Sequence, residues 1–434
     1  MTPRRLTRVA ATATTLLLAT SLAACGSSGP GGSSDVAQVW ALQDAALNPI
    51  EQSSIDRFNE ASDAGEAKLV TFGNDPYKQR LRTAIGSANS PDVFFNWGGG
   101  NLKEYVDAGK VEDLTPLLDE NPELADAFLP SVLAGGQLDG KTYGLPMRGV
   151  QPVLLFTNQK VLEGAGITEP PATWEDLLTD VDKLKAAGIE KPIALAGSQP
   201  WTELMWAEYL LDRIGGPEVF QNIRDGKGEG WNDPAVLQAM TMIKELIDRG
   251  GFGTGYQSTG YDVGGSGTLL ATDKSGFHLM GSWDYTTQLN NNPEFVTSGN
   301  LGYAAFPAVE GGQGDPSNLV GNVSNFYSVV KGSQAKDAAM DYVTTALNDD
   351  TYVSDLIEAG DVMPLKNARE QIADTDNAEF GTDIYDRTAN ATNFQLSWDQ
   401  DLPGDASTKM LAELSDLFNG AQTPEGFVSA MAGS

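Results

Sequence analysis

The chain has 434 residues, of which 41% are hydrophobic and 20% are charged, and this composition is typical of a globular protein. Its length exceeds that of one typical domain, so two lobes are expected. The formal net charge of −31 argues against a nucleic-acid-binding protein and against broad docking on anionic lipid, because both require basic patches.

The N-terminus has the pattern of a secretory signal. Arg4, Arg5 and Arg8 precede a mainly apolar stretch at 9–24, which is too short and too rich in threonine for a good membrane-spanning helix. Small residues follow at the end of this stretch, so we predict that residues 1–24 are a signal peptide. The Arg4–Arg5 pair leaves the choice between general secretion and twin-arginine export open.

A lipid anchor is predicted at the cleavage site. Residues 22–26, LAACG, resemble the lipobox of bacterial lipoproteins, and this resemblance implies that Cys25 is acylated. Cys25 is the only cysteine, so an attachment point explains it better than a redox or metal role. Residues 25–34 then form a lipid-anchored flexible tether at the outer face of the cell membrane. The alternative is an ordinary signal peptide that ends in a cysteine.

Helical and strand patterns alternate along the rest of the chain, which predicts an α/β fold with largely parallel sheets. The predicted strands lie at 38–42, 67–72, 92–96, 189–196, 301–306 and 325–330. The predicted helices lie at 50–59 and 335–347, and others begin at Asp75, Thr173 and Asp233. The helix after Thr173 is the best marked, because Thr173 and Asp176 match a capping-box variant.

Five short strings, in this order, resemble the sugar-binding lipoproteins of ABC importers, the group that includes maltose-binding protein. They are GKTYGLP at 140–146, LFTN at 155–158, PATWEDL at 171–177, GSW at 281–283 and FPA at 306–308. A further string at 394–403, FQLSWDQDLP, resembles the corresponding segment of binders of xylobiose-type di- and oligosaccharides. The order and spacing of the strings carry the resemblance, and no single string does.

This resemblance implies an α/β, two-lobe periplasmic-binding-protein-like fold of type II, with the ligand cleft between the lobes and hinge crossovers. Lobe one would comprise 35–150 plus 300–325, lobe two would comprise 151–299 plus 326–434, and crossovers would lie near 150–151, 299–300 and 325–326. The implied function is capture of a carbohydrate, a di- or oligosaccharide, and its delivery to the permease subunits of an ABC importer. We expect a monomer that needs no cofactor and no metal.

A sugar ring requires aromatic faces for stacking and polar groups for its hydroxyls. Four of the eight tryptophans lie at element ends, where α/β proteins concentrate binding residues, and we predict that these four contact ligand: Trp97, Trp201, Trp283 and Trp398. The polar candidates are Gln43, Asp44, Arg148, Gln151, Asp284, Asn325 and Asp399. For each candidate a structural role is the alternative.

Particular alternatives apply to several of these candidates. Asp284 and Asp399 could cap helices, Asn325 could serve a turn, and Arg148 could form a salt bridge between the lobes. The family often has a carboxylate where this chain has Gln151. Three glycines follow Trp97, and we expect them to let the backbone approach a ligand closely.

An enzyme is the rival class. His278 is the only histidine and lies in a strand pattern, where a core role is favoured over catalysis, and no cluster of His and Cys offers zinc ligands. No Gly-x-Ser-x-Gly elbow precedes a helix. A surface glycosidase needs only two carboxylates, so it stays an alternative, as does a binding protein for a non-sugar solute. An adhesive protein would more often show repeats or a β-rich pattern.

Overall fold

The structure is a computed structural model that describes residues 36–262, 264–347 and 349–433. The predicted signal peptide, the tether and Cys25 lie outside the described residues. Within those residues, no helix combines the length and apolar character that a membrane crossing requires.

The regular elements alternate as predicted. The strands are β1 (Val36–Leu42), β2 (Glu66–Phe72), β3 (Val93–Asn96), β4 (Gln137–Leu138), β5 (Lys141–Thr142), β6 (Leu145–Pro146), β7 (Gln151–Asn158), β8 (Ile193–Ala194), β9 (Phe277–Gly281), β10 (Leu301–Ala304), β11 (Leu319–Asn322), β12 (Phe326–Val329) and β13 (Phe394–Leu396).

The helices surround these strands. They are α1 (Asn48–Ala61), α2 (Asn74–Ala84), α3 (Gly99–Asp107), α4 (Thr115–Glu120), α5 (Pro122–Ala127), α6 (Pro130–Leu133), α7 (Gln159–Gly164), α8 (Trp174–Ala186), α9 (Pro200–Gly215), α10 (Pro217–Arg224), α11 (Pro234–Asp248), α12 (Gly265–Ala271), α13 (Trp283–Asn291), α14 (Pro293–Thr297), α15 (Lys336–Leu347), α16 (Asp350–Glu358), α17 (Ala368–Ala373), α18 (Ala378–Asn390), α19 (Trp398–Asp401), α20 (Gly404–Phe418) and α21 (Pro424–Ala432).

The helix starts follow the predicted capping chemistry. Thr173 Oγ1 accepts a hydrogen bond from the Asp176 amide at 3.1 Å, and the Asp176 carboxylate accepts one from the Thr173 amide at 3.0 Å, so the capping box is complete. Asp233 likewise accepts from the Ala235 amide at 2.9 Å at the start of α11. Both caps were readable from the sequence because they are local.

Two sheets form the cores of two lobes. The first sheet has the order β2-β1-β3-β12-β6, and the second has the order β13-β11-β7-β9-β8 with β10 also paired to β7. The first three strands are parallel, as predicted, but β12 runs antiparallel to both its neighbours. The second sheet is mixed, since β7 is antiparallel to β9, β10 and β11. The prediction of largely parallel sheets is therefore wrong for this sheet, because a fully buried strand gives the same apolar run in either direction.

The strand pairing reverses two of the predicted lobe assignments. Residues 300–325 were expected in lobe one, but β10 and β11 pair with β7 of the second sheet. The start of 326–434 was expected in lobe two, but β12 pairs with β3 and β6 of the first sheet. Helices α15 and α16 then pack on α1 of lobe one. We refer below to the lobe of the first sheet as lobe one and to that of the second as lobe two.

The chain passes between the lobes at residues 147–150, 323–325 and 359–366, and the first of these segments is hydrogen-bonded to each of the other two. The Met147 amide donates to the Asn325 carbonyl at 2.8 Å, and the Val150 amide donates to the Val362 carbonyl at 2.8 Å. The first two crossings lie near the expected ones at 150–151 and 325–326. The predicted crossing at 299–300 is wrong, because both flanking strands, β9 and β10, belong to the second sheet.

Candidate functional site

A cavity of about 290 Å³ lies between the two lobes. Lobe one lines it with residues that follow β1, β2 and β3, because the carboxyl ends of parallel strands meet at one edge of a sheet. Lobe two lines it with the start of α9, the loop before α12, helix α13, strand β11 and the short helix α19. Residues from both lobes therefore line the same space.

Nine of the predicted site residues line this cavity. They are Gln43, Asp44, Trp97, Arg148, Gln151, Trp201, Trp283, Asn325 and Asp399. Among the polar residues that the sequence analysis missed are Asn74, Lys78, Tyr261, Asp262, Thr287, Asn291, Asn322, Ser397 and Gln400. Asn74 and Lys78 follow β2, so the strand-end argument applied to β1 would also have found them. Tyr261 and Asp262 lie in an irregular loop for which the sequence carries no comparable signal.

Two predicted residues do not line the cavity. Trp398 is 2% exposed and stacks on Phe220 with ring centroids 4.6 Å apart, so it belongs to the core of lobe two, and its neighbour Asp399 lines the cavity instead. Asp284 is fully buried, and its Oδ2 lies 3.1 Å from His278 Nδ1. His278 is a core residue, as predicted, and this partner explains the burial of Asp284.

Aromatic side chains border the cavity on both lobes. On lobe two, Trp201 packs edge-on against Tyr261 at 5.4 Å and lies 6.4 Å from Trp283. On lobe one, Trp97 packs edge-on against Phe95 at 5.0 Å, and Lys78 Nζ lies 4.9 Å from the Trp97 ring centroid. The arrangement offers apolar ring surfaces from two directions.

The second and third of the glycines after Trp97 serve a contact between the lobes. A Cβ at Gly99 would lie 2.4 Å from Leu396, and one at Gly100 would lie 2.3 Å from the Asp401 carbonyl oxygen. The missing side chains let the start of α3 in lobe one approach α19 of lobe two. Gly99 and Gly100 thus allow a close backbone approach, as expected. The backbone, however, approaches the other lobe and not a ligand.

Arg148 is held by two carboxylates of its own lobe. Its guanidinium donates to Glu51 Oε1 at 2.6 and 3.0 Å and to Asp44 Oδ2 at 3.2 Å. Burial alone would lower the pKa of Arg148, but the charges of Glu51 and Asp44 outweigh it and raise that pKa. Asp44 Oδ1 also accepts from the Ala46 amide at 3.0 Å at the start of α1. Arg148 therefore does not form the salt bridge between the lobes that we considered as its alternative role.

An ion pair between Lys78 of lobe one and Asp399 of lobe two joins the lobes. Lys78 Nζ lies 2.9 Å from Asp399 Oδ2, and Gln400 Nε2 donates to the same oxygen at 2.7 Å. The described lining residues include three carboxylates, Asp44, Asp262 and Asp399, and two cations, Lys78 and Arg148. Because both cations are paired, the cavity offers no unpaired positive charge among these residues.

Some lining groups keep hydrogen-bonding capacity. Asn74 Oδ1 on lobe one and Trp201 Nε1 on lobe two are buried and have no hydrogen-bond partner within the described residues. Buried polar atoms are normally paired, so these two atoms hold hydrogen-bonding capacity that the described residues leave unused. Gln151 Oε1 accepts from Asn322 Nδ2 at 3.3 Å. The Asn325 amide side chain donates to the neighbouring Ser324 carbonyl, which fits a role in a turn, the alternative considered for Asn325.

No group of three potential metal ligands occurs in the described part of the chain.

The comparison with protein families gives one match that covers most of the chain. The model of the family described as bacterial extracellular solute-binding protein matches residues 42–385. Among relatives, the sn-glycerol-3-phosphate-binding periplasmic protein of Yersinia pseudotuberculosis (serotype I, strain IP32953) is 27% identical over 226 residues, or 49% of each chain. The chain spans about two fifths to one half of the length of the relatives it matches.

Solved structures share the fold over nearly the whole chain. A chitin oligosaccharide binding protein superposes with a TM-score of 0.80 at 24% identity, covering 93% of this chain and 98% of its own. A chain from a study of xylan utilization by Caldanaerobius polysaccharolyticus superposes with a TM-score of 0.82 at 23% identity, covering 92% and 99%. At these identities the likeness establishes the two-lobe fold.

Proposed function

The chain belongs to the bacterial extracellular solute-binding proteins, and we propose that it captures a neutral di- or oligosaccharide in the cleft between its lobes and delivers it to the permease of an ABC importer. The observation that carries this proposal is the combination of aromatic rings and polar side chains that both lobes contribute to the lining of one cavity. Such a site matches the apolar faces and the hydroxyl rim of a sugar.

The charges of the cavity support a neutral ligand. Lys78 and Arg148 are already bound to carboxylates, and Asp262 adds a negative charge that no lining cation pairs. An anionic ligand such as sn-glycerol-3-phosphate would need an unpaired cation or a free backbone nest to hold its phosphate. We therefore place sugars ahead of the phosphate ester that the Yersinia relative is named for.

We propose binding without chemical conversion. Asp44 and Asp399 are engaged with Arg148 and Lys78, which leaves Asp262 as the lining carboxylate without a cation. A glycosidase needs two carboxyl groups free to serve as acid and base or nucleophile. The described cavity therefore favours capture over hydrolysis.

The mechanism that we propose is closure around the ligand. A sugar that contacts both lobes favours the closed form by its differential affinity for the two forms. The lipid anchor that we propose at Cys25 would then keep the loaded protein at high local concentration near its permease. ATP would be used by a separate subunit of the importer.

Calorimetric titration tests the proposal. We expect saturable binding of at least one sugar among xylobiose, xylotriose, chitobiose, chitotriose and maltotriose, and no binding of sn-glycerol-3-phosphate. Chromatography of the mixtures after incubation checks that the sugars are intact. Hydrolysis products without saturable binding, or tight binding of the phosphate ester alone, would overturn the proposal.

A further inference from the structure

A buried carboxyl group lies behind the cavity wall. Glu208 is on α9, it is 1% exposed, and it is not among the residues that line the cavity. Its Oε1 accepts hydrogen bonds from the Ser397 hydroxyl and from the Trp398 amide, both at 2.7 Å. Its Oε2 is buried without a partner within the described residues. A buried carboxyl whose bonds all go to one short segment fixes the place of that segment.

The segment that Glu208 binds is the start of α19, which reaches both the cavity and lobe one. Asp399 pairs with Lys78, and the Asn101 side chain donates to the Asp399 carbonyl at 3.1 Å and to Gln400 Oε1 at 2.8 Å. Asp399 and Gln400 also line the cavity. Since α19 has four residues, its own backbone hydrogen bonds constrain it weakly.

We infer that Glu208 is a positioning residue for the ligand site: it anchors α19 to lobe two, so that Asp399 and Gln400 face the cavity and bind lobe one. The side chains of Lys78 and Asn101 then meet a fixed partner when the lobes close. The inference rests on the proposed function for the role of the cavity, but the placement of α19 is independent of that function.

Burial supports this role because it raises the pKa of Glu208 to about 8. The carboxyl group is then mostly neutral at pH 7, with the proton on Oε2 and both lone pairs of Oε1 available to the two donors. Glutamine has the same shape and the same acceptor as this neutral form. Glu208→Gln therefore keeps the anchor, whereas Glu208→Leu fills a similar volume and removes it.

Glu203 provides a matched control on the same helix. It is fully buried, as Glu208 is, and both of its carboxyl oxygens lack a partner within the described residues. It makes no bond to α19. Glu203→Leu and Glu203→Gln thus reproduce the loss of a buried carboxyl group without touching the anchor.

The test measures amide hydrogen exchange and sugar affinity in the whole protein. In Glu208→Leu we expect faster exchange of the Trp398 amide, and a xylotriose or chitotriose affinity about five- to 150-fold weaker, which is the loss of about 1–3 kcal/mol expected for a buried hydrogen bond. Glu208→Gln should restore both quantities, and both Glu203 variants should match the wild type. Thermal unfolding checks that each variant folds, and Glu208→Ala replaces the leucine variant if that one does not.

The outcomes separate the two proposals. Wild-type exchange and affinity in Glu208→Leu, or the same losses in Glu208→Gln or Glu203→Leu, would show that Glu208 only contributes to the stability of lobe two. A wild-type protein that binds none of the five sugars would refute the proposed function, and amide exchange at Trp398 would still decide the role of Glu208.

Discussion

Replacing Gly100 by alanine should weaken ligand binding without unfolding the protein. The added Cβ would lie 2.3 Å from the Asp401 carbonyl oxygen, 2.8 Å from its carbon and 3.1 Å from the Leu402 carbonyl oxygen. These are backbone atoms of the other lobe, so no side chain can rotate away to make room. The strain therefore falls on the state in which the two lobes are in contact.

The magnitude follows from two opposing terms. Overpacking a close contact by one methyl group costs about 1–3 kcal/mol, and this cost applies to the closed state, so affinity should fall about five- to 150-fold. In the open state the alanine meets no such contact, and its higher helix propensity stabilises α3 by up to about 1 kcal/mol. The melting temperature of the ligand-free protein should therefore change little.

Calorimetry with a sugar that binds the wild type measures the affinity, and small-angle X-ray scattering reports how far the lobes close. Gly164→Ala is the matched control, because Gly164 ends a helix of lobe two and a Cβ there meets nothing within 4 Å. Unchanged affinity and normal closure in Gly100→Ala would refute the reasoning, since the clash would then be absorbed by local movement.

Three further predictions concern single residues. Trp201→Ala should weaken sugar binding by more than about 1 kcal/mol, since stacked rings supply much of the binding energy at such sites, and fluorescence titration would detect the loss; equal affinity would remove Trp201 from the site. Arg148→Met should lower the free energy of unfolding by about 3–5 kcal/mol in urea denaturation, because it leaves the buried Glu51 unpaired; a loss under 1 kcal/mol would contradict this. Burial raises the pKa of Asp361 to about 6 from the usual 3.8; its stabilising contribution is complete below pH 3.8 and is lost as the pH rises through 6. Asp361→Asn should therefore gain stability relative to wild type between pH 4 and pH 6, by on the order of 3 kcal/mol, and a constant difference across this range would show that Asp361 does not titrate there.

Local signals in the sequence predicted most elements and much of the cavity wall. The cap at Thr173 and the strand ends before Asp44 and Trp97 were readable because each depends on neighbours in sequence. Trp398 was misplaced because the side chains of a four-residue helix point in several directions, and the tertiary contact with Phe220 decides which is buried.

The remaining differences come from contacts between distant parts of the chain. The ion pairs of Arg148 join residues 97 and 104 positions apart, so no local pattern could show that its guanidinium was already occupied. The pairing of β12 with the first sheet is likewise a property of distant strands. Resemblance to a family located the crossovers near 150 and 325, but not the sheet on which each returning strand ends.

The position of β12 also bears on how the protein is made. This strand lies between β3 and β6, and its first residue, Phe326, pairs with Asn96, 230 residues earlier in the chain. The sheet of the N-terminal lobe stays incomplete until the ribosome has synthesised about three quarters of the polypeptide. Closing so large a loop costs entropy before any contact compensates for it, so this lobe should fold late and slowly. If the proposed export follows the general secretion route, such a delay keeps the nascent chain extended while it is threaded through a translocon.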